Sequence, residues 1–392
     1  MDFLDSELRG ELSALDESAM RRHLRIIESA QDARVELGGR SMLMLSSNNY
    51  LGLANHPEVK NAASEAIGRF GVGAGASRLV AGSIAPIHRL EQRIARLERV
   101  EAALIFGSGY LANLGAITAL VGRGDTIFSD ELNHASLIDG CRLSRAELRI
   151  YQHGDLDHLK VLLERCSIGG RRLIVTDSVF SMDGDLAPLA GIAEFGRTYG
   201  AAVMIDEAHA LGVAGPGGAG LAAQLGLERE IDVHMGTLSK ALGAYGGYIA
   251  GSRTVIDFLI NRSRSFIYTT GLAPAIAAAA GAALDIMVAE PERIERLRAN
   301  AAWLRGRLRE AGFNVPTGVT AIIPVIIGDS RKALAMAERL FTRGIYVVAI
   351  RPPTVPQGTA RLRVTPIASH TRDDLDEALG AFSAVGRELG II

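Results

Sequence analysis

The sequence is poor in cysteine and has no large excess of charge. Its two cysteines, Cys141 and Cys166, are too few for a disulfide framework and lack metal-type pairing, so two buried thiols are expected. The formal net charge is −2 and charged residues make up 22% of the chain, which argues against binding to nucleic acid or to an anionic membrane. The nine histidines show no His-Glu-x-x-His or comparable spacing, so no catalytic metal is expected.

Targeting and nucleotide-motor signals are also missing. The N-terminal stretch is acidic and lacks the basic start and apolar core of a signal peptide, so a cytoplasmic protein is expected. The longest small-apolar run, residues 273–289, contains Pro274 and Asp285 and is rich in alanine, which predicts a buried helix and no membrane span. Asp-Glu-Ala-His at 206–209 resembles a helicase motif, but a helicase would also need a phosphate loop that contains a Gly-Lys pair. No Gly-Lys pair occurs in this sequence, which excludes the helicase interpretation.

Lysine is scarce, and one of the four lysines differs from the others. Lys60, Lys160 and Lys332 lie in amphipathic helical patterns, where a solvated ammonium is expected. Lys240 lies among small residues, with glycines before and after it. A lysine in a dry pocket has a lowered pKa and a nucleophilic amine, which suits imine chemistry. The alternative is a lysine that extends into solvent from a loop.

Short apolar runs alternate with helical patterns from residue 102 to residue 251. This alternation predicts an α/β fold with a mostly parallel sheet that helices cover on both faces. A β-α-β-β pattern and a final helix then predict a smaller second domain. We expect an N-terminal helical arm with short strands at 1–45, a large domain at 46–282 and a small α+β domain at 283–392.

Polar residues that follow these strands are candidates for a ligand site, because ligands bind beyond the carboxyl ends of parallel strands. Asp206 can hold a protonated ring nitrogen, and His209 can contact the same ligand. The alternative is a helix N-cap aspartate with a surface histidine. His134, five residues after another strand, can stack on a flat ligand, although a lone histidine is more often structural.

Two further stretches have residue types that bind anions. Gly107-Ser-Gly-Tyr110 is a small-residue turn that opens a helix, so its backbone N–H groups and the helix dipole can bind phosphate, or the turn merely connects two elements. Residues 351–363 contain three prolines and arginines at alternate positions. These arginines can clamp a carboxylate, or they can lie in solvent on an edge strand.

Taken together, these motifs and their order resemble the α-oxoamine synthases, a subgroup of the fold type I pyridoxal 5'-phosphate (PLP) enzymes. The resemblance extends over nearly the whole chain and implies a seven-stranded, mostly parallel sheet in the large domain. It also implies a PLP-dependent acyltransferase that acts as a homodimer, with active sites at the interface. Within the group, three stretches resemble the branch that acts in biotin biosynthesis: residues 180–189, residues 351–363 and NRSRSFIYTTGLAP. That branch condenses L-alanine with a pimeloyl thioester, whose carrier is coenzyme A or acyl carrier protein.

The resemblance also implies a role for each matching residue. Lys240 would bond to the cofactor and move the Cα proton, Asp206 would pair with the pyridinium nitrogen, and His134 would stack on the ring. The other matching residues would contact the cofactor or the substrates. Ser181 and His209 would contact the ring oxygen or the substrate. The phosphate would be bound by Gly109, Tyr110, Thr237 and, from the neighbouring subunit, Thr269 and Thr270. Arg363 would bind the amino-acid carboxylate, and Arg22 and Thr354 would lie near the acyl substrate.

Two alternatives stay open. Thr-Leu-Ser-Lys-Ala-Leu-Gly around Lys240 also resembles glycine-using relatives, so the activity could be that of another α-oxoamine synthase such as glycine C-acetyltransferase. A non-catalytic α/β protein that binds a nucleotide through residues 107–110 is the alternative from another class. Arg21 lies beside Arg22, and the arm matches the family pattern poorly, so either arginine could contact the substrate.

Overall fold

The computed structural model describes residues 2–17, 20–166 and 169–392. The strands are β1 (Arg34–Leu37), β2 (Arg40–Met44), β3 (Ala102–Phe106), β4 (Thr126–Asp130), β5 (Glu147–Tyr151), β6 (Arg172–Asp177), β7 (Ala202–Asp206), β8 (Val233–Thr237), β9 (Gly247–Gly251), β10 (Ile323–Gly328), β11 (Ile345–Tyr346), β12 (Val348–Ile350) and β13 (Ala360–Val364). The helices are α1 (Asp2–Glu17), α2 (Pro57–Phe70), α3 (Ala85–Leu97), α4 (Gly109–Leu120), α5 (Ala135–Ser144), α6 (Leu156–Glu164), α7 (Leu189–Tyr199), α8 (Leu221–Leu225), α9 (Arg253–Arg262), α10 (Arg264–Ile267), α11 (Pro274–Ala289), α12 (Glu292–Glu310), α13 (Ser330–Thr342) and α14 (Arg372–Glu388).

A seven-stranded sheet forms the centre of the larger part of the chain. Its strand order is β3-β9-β8-β7-β6-β4-β5, and β9 alone in this sheet runs antiparallel to its neighbours. Side chains on alternate positions enter different cores: Leu104 packs with α4 residues, whereas Ala103 and Ile105 pack with α3 and α11 residues. Both faces are therefore buried, and the predicted mostly parallel sheet between helices is confirmed.

The C-terminal part has its own core and sheets. Strands β10, β13 and β12 form an antiparallel sheet. Strands β1, β2 and β11 form a mixed sheet, in which β2 is antiparallel to β1 and parallel to β11. The run IYVVAI, which reads as one strand, is divided after Tyr346, because β11 pairs with β2 whereas β12 pairs with β13. The N-terminal strand pair thus lies against the C-terminal region, a pairing that local sequence does not encode.

Helix α11 bears on two predictions. It is largely buried and packs against α2 and α3, as expected for residues 273–289. The predicted domain boundary between residues 282 and 283 lies inside this helix and stays a prediction. Within the described residues, no single helix is long and apolar enough to cross a membrane, although α11 and α12, bent by 79° relative to each other, meet the length and composition criteria as a pair.

Candidate active site

Acidic side chains lie where three neighbouring parallel strands end. Asp130, Asp177 and Asp206 are the last residues of β4, β6 and β7, and all three are buried. Asp177 and Asp206 are direct partners in the β6–β7 register. Lys240 follows the end of β8, the next strand of the sheet. Strand order therefore brings one amine to a row of carboxylates at one edge of the sheet.

Lys240 is partly buried, and its surroundings favour the neutral amine. Burial lowers the pKa of its ammonium to about 8, the Asp206 and Asp177 charges oppose this shift, and the Arg363 charge adds to it. A nucleophilic amine is therefore present near neutral pH. The other three lysines are exposed on α2, α6 and α13, as the helical patterns predicted.

Asp206 is held in a defined orientation. Its Oδ1 accepts a hydrogen bond from the backbone N–H of Ala208 at 2.8 Å, and its Oδ2 accepts one from Asn113 Nδ2 at 2.7 Å. The carboxylate is 3% exposed. Two donors from the chain fix this carboxylate while each oxygen keeps acceptor capacity for a ligand.

A chain of hydrogen bonds joins Asp206 to His134. Asn113 Nδ2 also donates to Ser136 Oγ at 2.9 Å. His134 Nδ1 accepts from the backbone N–H of Ser136 at 3.3 Å, so the Ser136 hydroxyl, 2.8 Å away, also donates to it. Burial lowers the pKa of His134, and the neutral ring therefore carries its proton on Nε2. His134 caps α5, and its backbone N–H donates to Asp177 Oδ2 at 2.6 Å. These contacts hold the ring rigidly at the edge of the site.

A second chain of hydrogen bonds joins His209 to Arg363. His209 Nδ1 lies 2.6 Å from the Tyr50 hydroxyl, and Asn48 Oδ1 accepts from both Tyr50 (3.3 Å) and Arg363 Nη1 (3.1 Å). Burial, with the charges of Lys240 and Arg363, places the pKa of His209 well below its usual value. His209 is therefore a neutral hydrogen-bonding group.

Arg363 and Arg361 have different surroundings, although both are buried on the central strand β13. Arg361 pairs with the Asp183 carboxylate. Arg363 donates to the Ser181 carbonyl at 2.5 Å and to Asn48, and these two bonds fix the plane of its guanidinium. Other N–H groups of the guanidinium remain as donors for a ligand. The edge-strand alternative is wrong, because β12 and β10 flank β13 on both sides.

The turn at residues 107–110 has the geometry of an anion cradle. Ser108 caps α4 by accepting from Leu111 N at 3.2 Å, so the first-turn N–H groups of Gly109 and Tyr110 lack intrahelical acceptors. A Cβ at Gly109 would lie 2.7 Å from Met235 Cε and 3.7 Å from Thr237 Oγ1. The glycine therefore lets the turn approach Thr237 closely, and the resulting small, donor-rich space fits a phosphate group.

The remaining predicted residues lie around this centre. Thr269 is beside the turn of the same chain, since a Cβ at Gly107 would be 3.9 Å from its methyl group. Thr270 is exposed and bridges to Ser77. Arg22 and Thr354 line a different cavity of about 620 Å³, which Lys240 does not line. The structure thus brings these two together, but not with the lysine.

Sequence reasoning missed Asn113, Ser136, Asp177, Asn48 and Tyr50. Asp177 ends a strand as Asp206 does, so the same strand-end rule could have found it. Asn113 carries no local signal, because it is one polar residue in the otherwise mostly apolar helix α4. Asn48 and Tyr50 lie in a polar turn that only the fold brings to β13.

The fold and these side chains define the class of the protein. Residues 40–382 match the model for aminotransferase class I and II, and the chain is a fold type I PLP-dependent transferase. It is 50% identical over 387 residues to an 8-amino-7-oxononanoate synthase from Geobacter sulfurreducens, with 98% of this chain and 99% of that protein covered. The chain belongs to the family of the 8-amino-7-oxononanoate synthases.

Solved structures agree with this assignment. A serine palmitoyltransferase from S. paucimobilis with a bound PLP–myriocin aldimine is 33% identical, with a TM-score of 0.94 and complete coverage of both chains. An 8-amino-7-oxononanoate synthase from Francisella tularensis is 26% identical, with a TM-score of 0.77 over 90% of this chain and 99% of that one. The predicted fold and family are confirmed, while the roles of individual site residues stay predictions.

Proposed function

We propose that the protein condenses L-alanine with a pimeloyl thioester, with loss of CO2, to form 8-amino-7-oxononanoate in biotin biosynthesis. The observation that carries this proposal is the full-length similarity to a synthase of that name at 50% identity. Pimeloyl-CoA and pimeloyl acyl carrier protein are both included as donors, and the proposal places the enzyme in the cytoplasm.

The site residues fit PLP. Gly109, Tyr110 and Thr237 would hold its phosphate, Asp206 its ring nitrogen, His134 its ring face, and Ser181 and His209 its ring oxygen or the substrate. The fit rests on the close approach at Gly109, the oriented Asp206 carboxylate and the lowered pKa of the Lys240 ammonium. When bound, PLP supplies an electron sink for the negative charge that develops at the amino-acid Cα.

The protein groups then bind the substrate and move its proton. The planar guanidinium of Arg363 binds the alanine carboxylate, because Ser181 and Asn48 already orient it. Lys240 accepts the proton from Cα and returns it after the new carbon–carbon bond has formed and CO2 has left. His209 stays neutral and hydrogen-bonds the Tyr50 hydroxyl through Nδ1, which leaves its Nε2 for the ligand. The two hydrogen-bond chains hold these groups in place during turnover.

A homodimer with shared active sites is part of the proposal. Thr270 is exposed and pairs with Ser77, and four exposed apolar side chains lie near one or other of these residues in the sequence. These side chains are Val72, Leu79, Val80 and Tyr268, which are 76%, 55%, 80% and 71% exposed. A subunit that packs on this surface would cover them and could offer Thr269 and Thr270 to its partner's phosphate.

The acyl-binding role of Arg22 and Thr354 requires the outer cavity to communicate with the lysine. Arg21 pairs with Asp16 at 2.5 Å, whereas no ion pair of Arg22 occurs among the described residues, so Arg22 is the better candidate for an acidic group on the acyl substrate. Replacing Arg22 with Gln should raise KM for pimeloyl-CoA and leave KM for alanine unchanged, and replacing Arg21 should change neither by more than about threefold.

A substrate panel tests the proposal. L-alanine, glycine and L-serine are each combined with pimeloyl-, acetyl-, succinyl- and palmitoyl-CoA, and release of thiol and CO2 is followed. Turnover should be highest for L-alanine with pimeloyl-CoA, absent in Lys240→Ala, and retained in Lys332→Ala as the matched lysine control. Preference for glycine with acetyl-CoA would instead assign the glycine C-acetyltransferase activity.

A further inference from the structure

A second cluster of titratable side chains lies away from the substrate groups. Glu98 follows α3, Glu207 follows β7 and His234 lies within β8. These side chains are 2%, 1% and 0% exposed, respectively. One ligand atom from each lies within 4.8 Å of the others. Three different segments therefore direct nitrogen and oxygen atoms toward one buried point.

The hydrogen bonds around the cluster leave acceptors facing one another. His234 Nε2 lies 3.1 Å from the Glu228 carbonyl and must donate to it, so the neutral ring presents the lone pair of Nδ1. Glu207 Oε1 accepts from the N–H groups of Leu221 (2.6 Å) and Ala222 (3.0 Å). Glu207 Oε2 and His234 Nδ1 are buried and have no hydrogen-bond partner among the described residues.

Among the described residues, the cluster also lacks a basic partner. Within the described parts of the chain, no lysine or arginine forms an ion pair with Glu98 or Glu207, and Glu98 accepts from the neutral Tyr248 hydroxyl. A bound cation would supply the partner that these buried carboxyl groups and the imidazole lone pair lack.

One distance in the cluster is closer to that of two ligands on one metal ion than to that of a hydrogen bond. His234 Nδ1 and Glu98 Oε2 are 3.7 Å apart, which is too long for a hydrogen bond. Two atoms that each lie about 2.1 Å from one metal ion are roughly 3.4–3.6 Å apart in near-tetrahedral geometry. We propose that Glu98, Glu207 and His234 bind one divalent transition-metal ion of the Zn²⁺ type, with a structural role.

The position of the site explains that role. The ion would connect the end of α3 to two adjacent strands of the central sheet, partly through Glu207, the residue that follows Asp206. Gly220 closes the site on one side, because a Cβ there would lie 2.3 Å from Glu207 Oε2. Carboxylate and imidazole ligands suit Zn²⁺, and the Tyr248 hydroxyl or a water can complete four-coordination. The site takes no part in the condensation and does not depend on the proposed function.

The test measures metal in the holoenzyme. The protein is produced in medium supplemented with Zn²⁺ or Co²⁺, exchanged into metal-free buffer, and analysed by elemental mass spectrometry and visible spectroscopy. We expect about one Zn²⁺ per chain, and d–d absorption bands from the cobalt form. Glu98→Gln, which keeps an acceptor for Tyr248, and His234→Gln should each lower the metal content at least about tenfold.

The matched control is His370→Gln, since His370 is also buried but lies outside the cluster. It should retain the metal. A wild-type protein that contains less than about 0.1 equivalent after growth in zinc, without d–d bands in the cobalt form, would overturn the proposal and assign protons to the cluster. The wild-type result decides the question even if a cluster variant does not fold.

Discussion

The pKa of Lys240 offers a direct test of how burial and charge act in the candidate site. At pH 8 about half of a group with a pKa of about 8 is neutral, against roughly 0.3% of an amine at the ordinary value of 10.5. Lys240 should therefore react roughly 150-fold faster than a solvated lysine of equal intrinsic reactivity. Because the chain has four lysines, every one can be followed as a separate peptide.

The neighbouring charges should move this pKa in opposite directions. Asp206→Asn removes a negative charge that stabilises the ammonium, so the pKa of Lys240 should fall further. Arg363→Gln removes a positive charge that repels it, so the pKa should rise. Each shift is expected to be about one unit, the lower end of the effect of a close charge.

Competitive acetylation of the PLP-free protein across pH 6–11 measures these values by peptide mass spectrometry. The exposed Lys60, Lys160 and Lys332 are internal references. The wild-type midpoint for Lys240 should lie near pH 8. A midpoint close to that of Lys60, or a rise in Asp206→Asn, would refute the argument from burial and charge.

Three further predictions test other groups. Asn113→Ala should lower kcat about 10- to 150-fold, because it removes a hydrogen bond to a charged group worth about 1.5–3 kcal/mol. Asn261→Ala, which removes an exposed amide that bonds only a carbonyl of its own helix, should leave kcat within about threefold. Gly109→Ala should raise the Kd for PLP about tenfold or more through the contact with Met235, whereas Gly107→Ala, whose Cβ would meet nothing closer than 3.5 Å, should not. The hydrogen bonds to Asp130 and Asp185 raise the pKa of His153 to about 10, so its stabilisation is complete below pH 6.5 and lost as the pH rises through 10. His153→Gln should therefore cost about 1–3 kcal/mol of unfolding free energy at pH 6 and much less at pH 10.5, by denaturant titration; an equal cost at both pH values would contradict this.

The strand-end rule shows how far sequence reasoning extends into the site. It placed Asp206 correctly at the end of a buried strand, and it would have placed Asp177 had it been applied to RLIVTD. It could not find Asn113 and Ser136, because their contact joins α4 to the start of α5. Nor could it separate Arg361 from Arg363, since both occupy one face of β13. Only their tertiary partners distinguish them: Asp183 pairs with the first, whereas Ser181 and Asn48 accept from the second.

The sequence alone determined the α/β class, the mostly parallel sheet and the singular position of Lys240, because periodicity, glycine spacing and residue scarcity are local properties of the chain. Only the tertiary structure decided which polar groups touch. It divided IYVVAI between two sheets, put Arg22 and Thr354 in a cavity away from Lys240, and brought Glu98, Glu207 and His234 together without any ligand-type spacing. Such contacts depend on strand order and packing between distant segments, which local patterns do not specify.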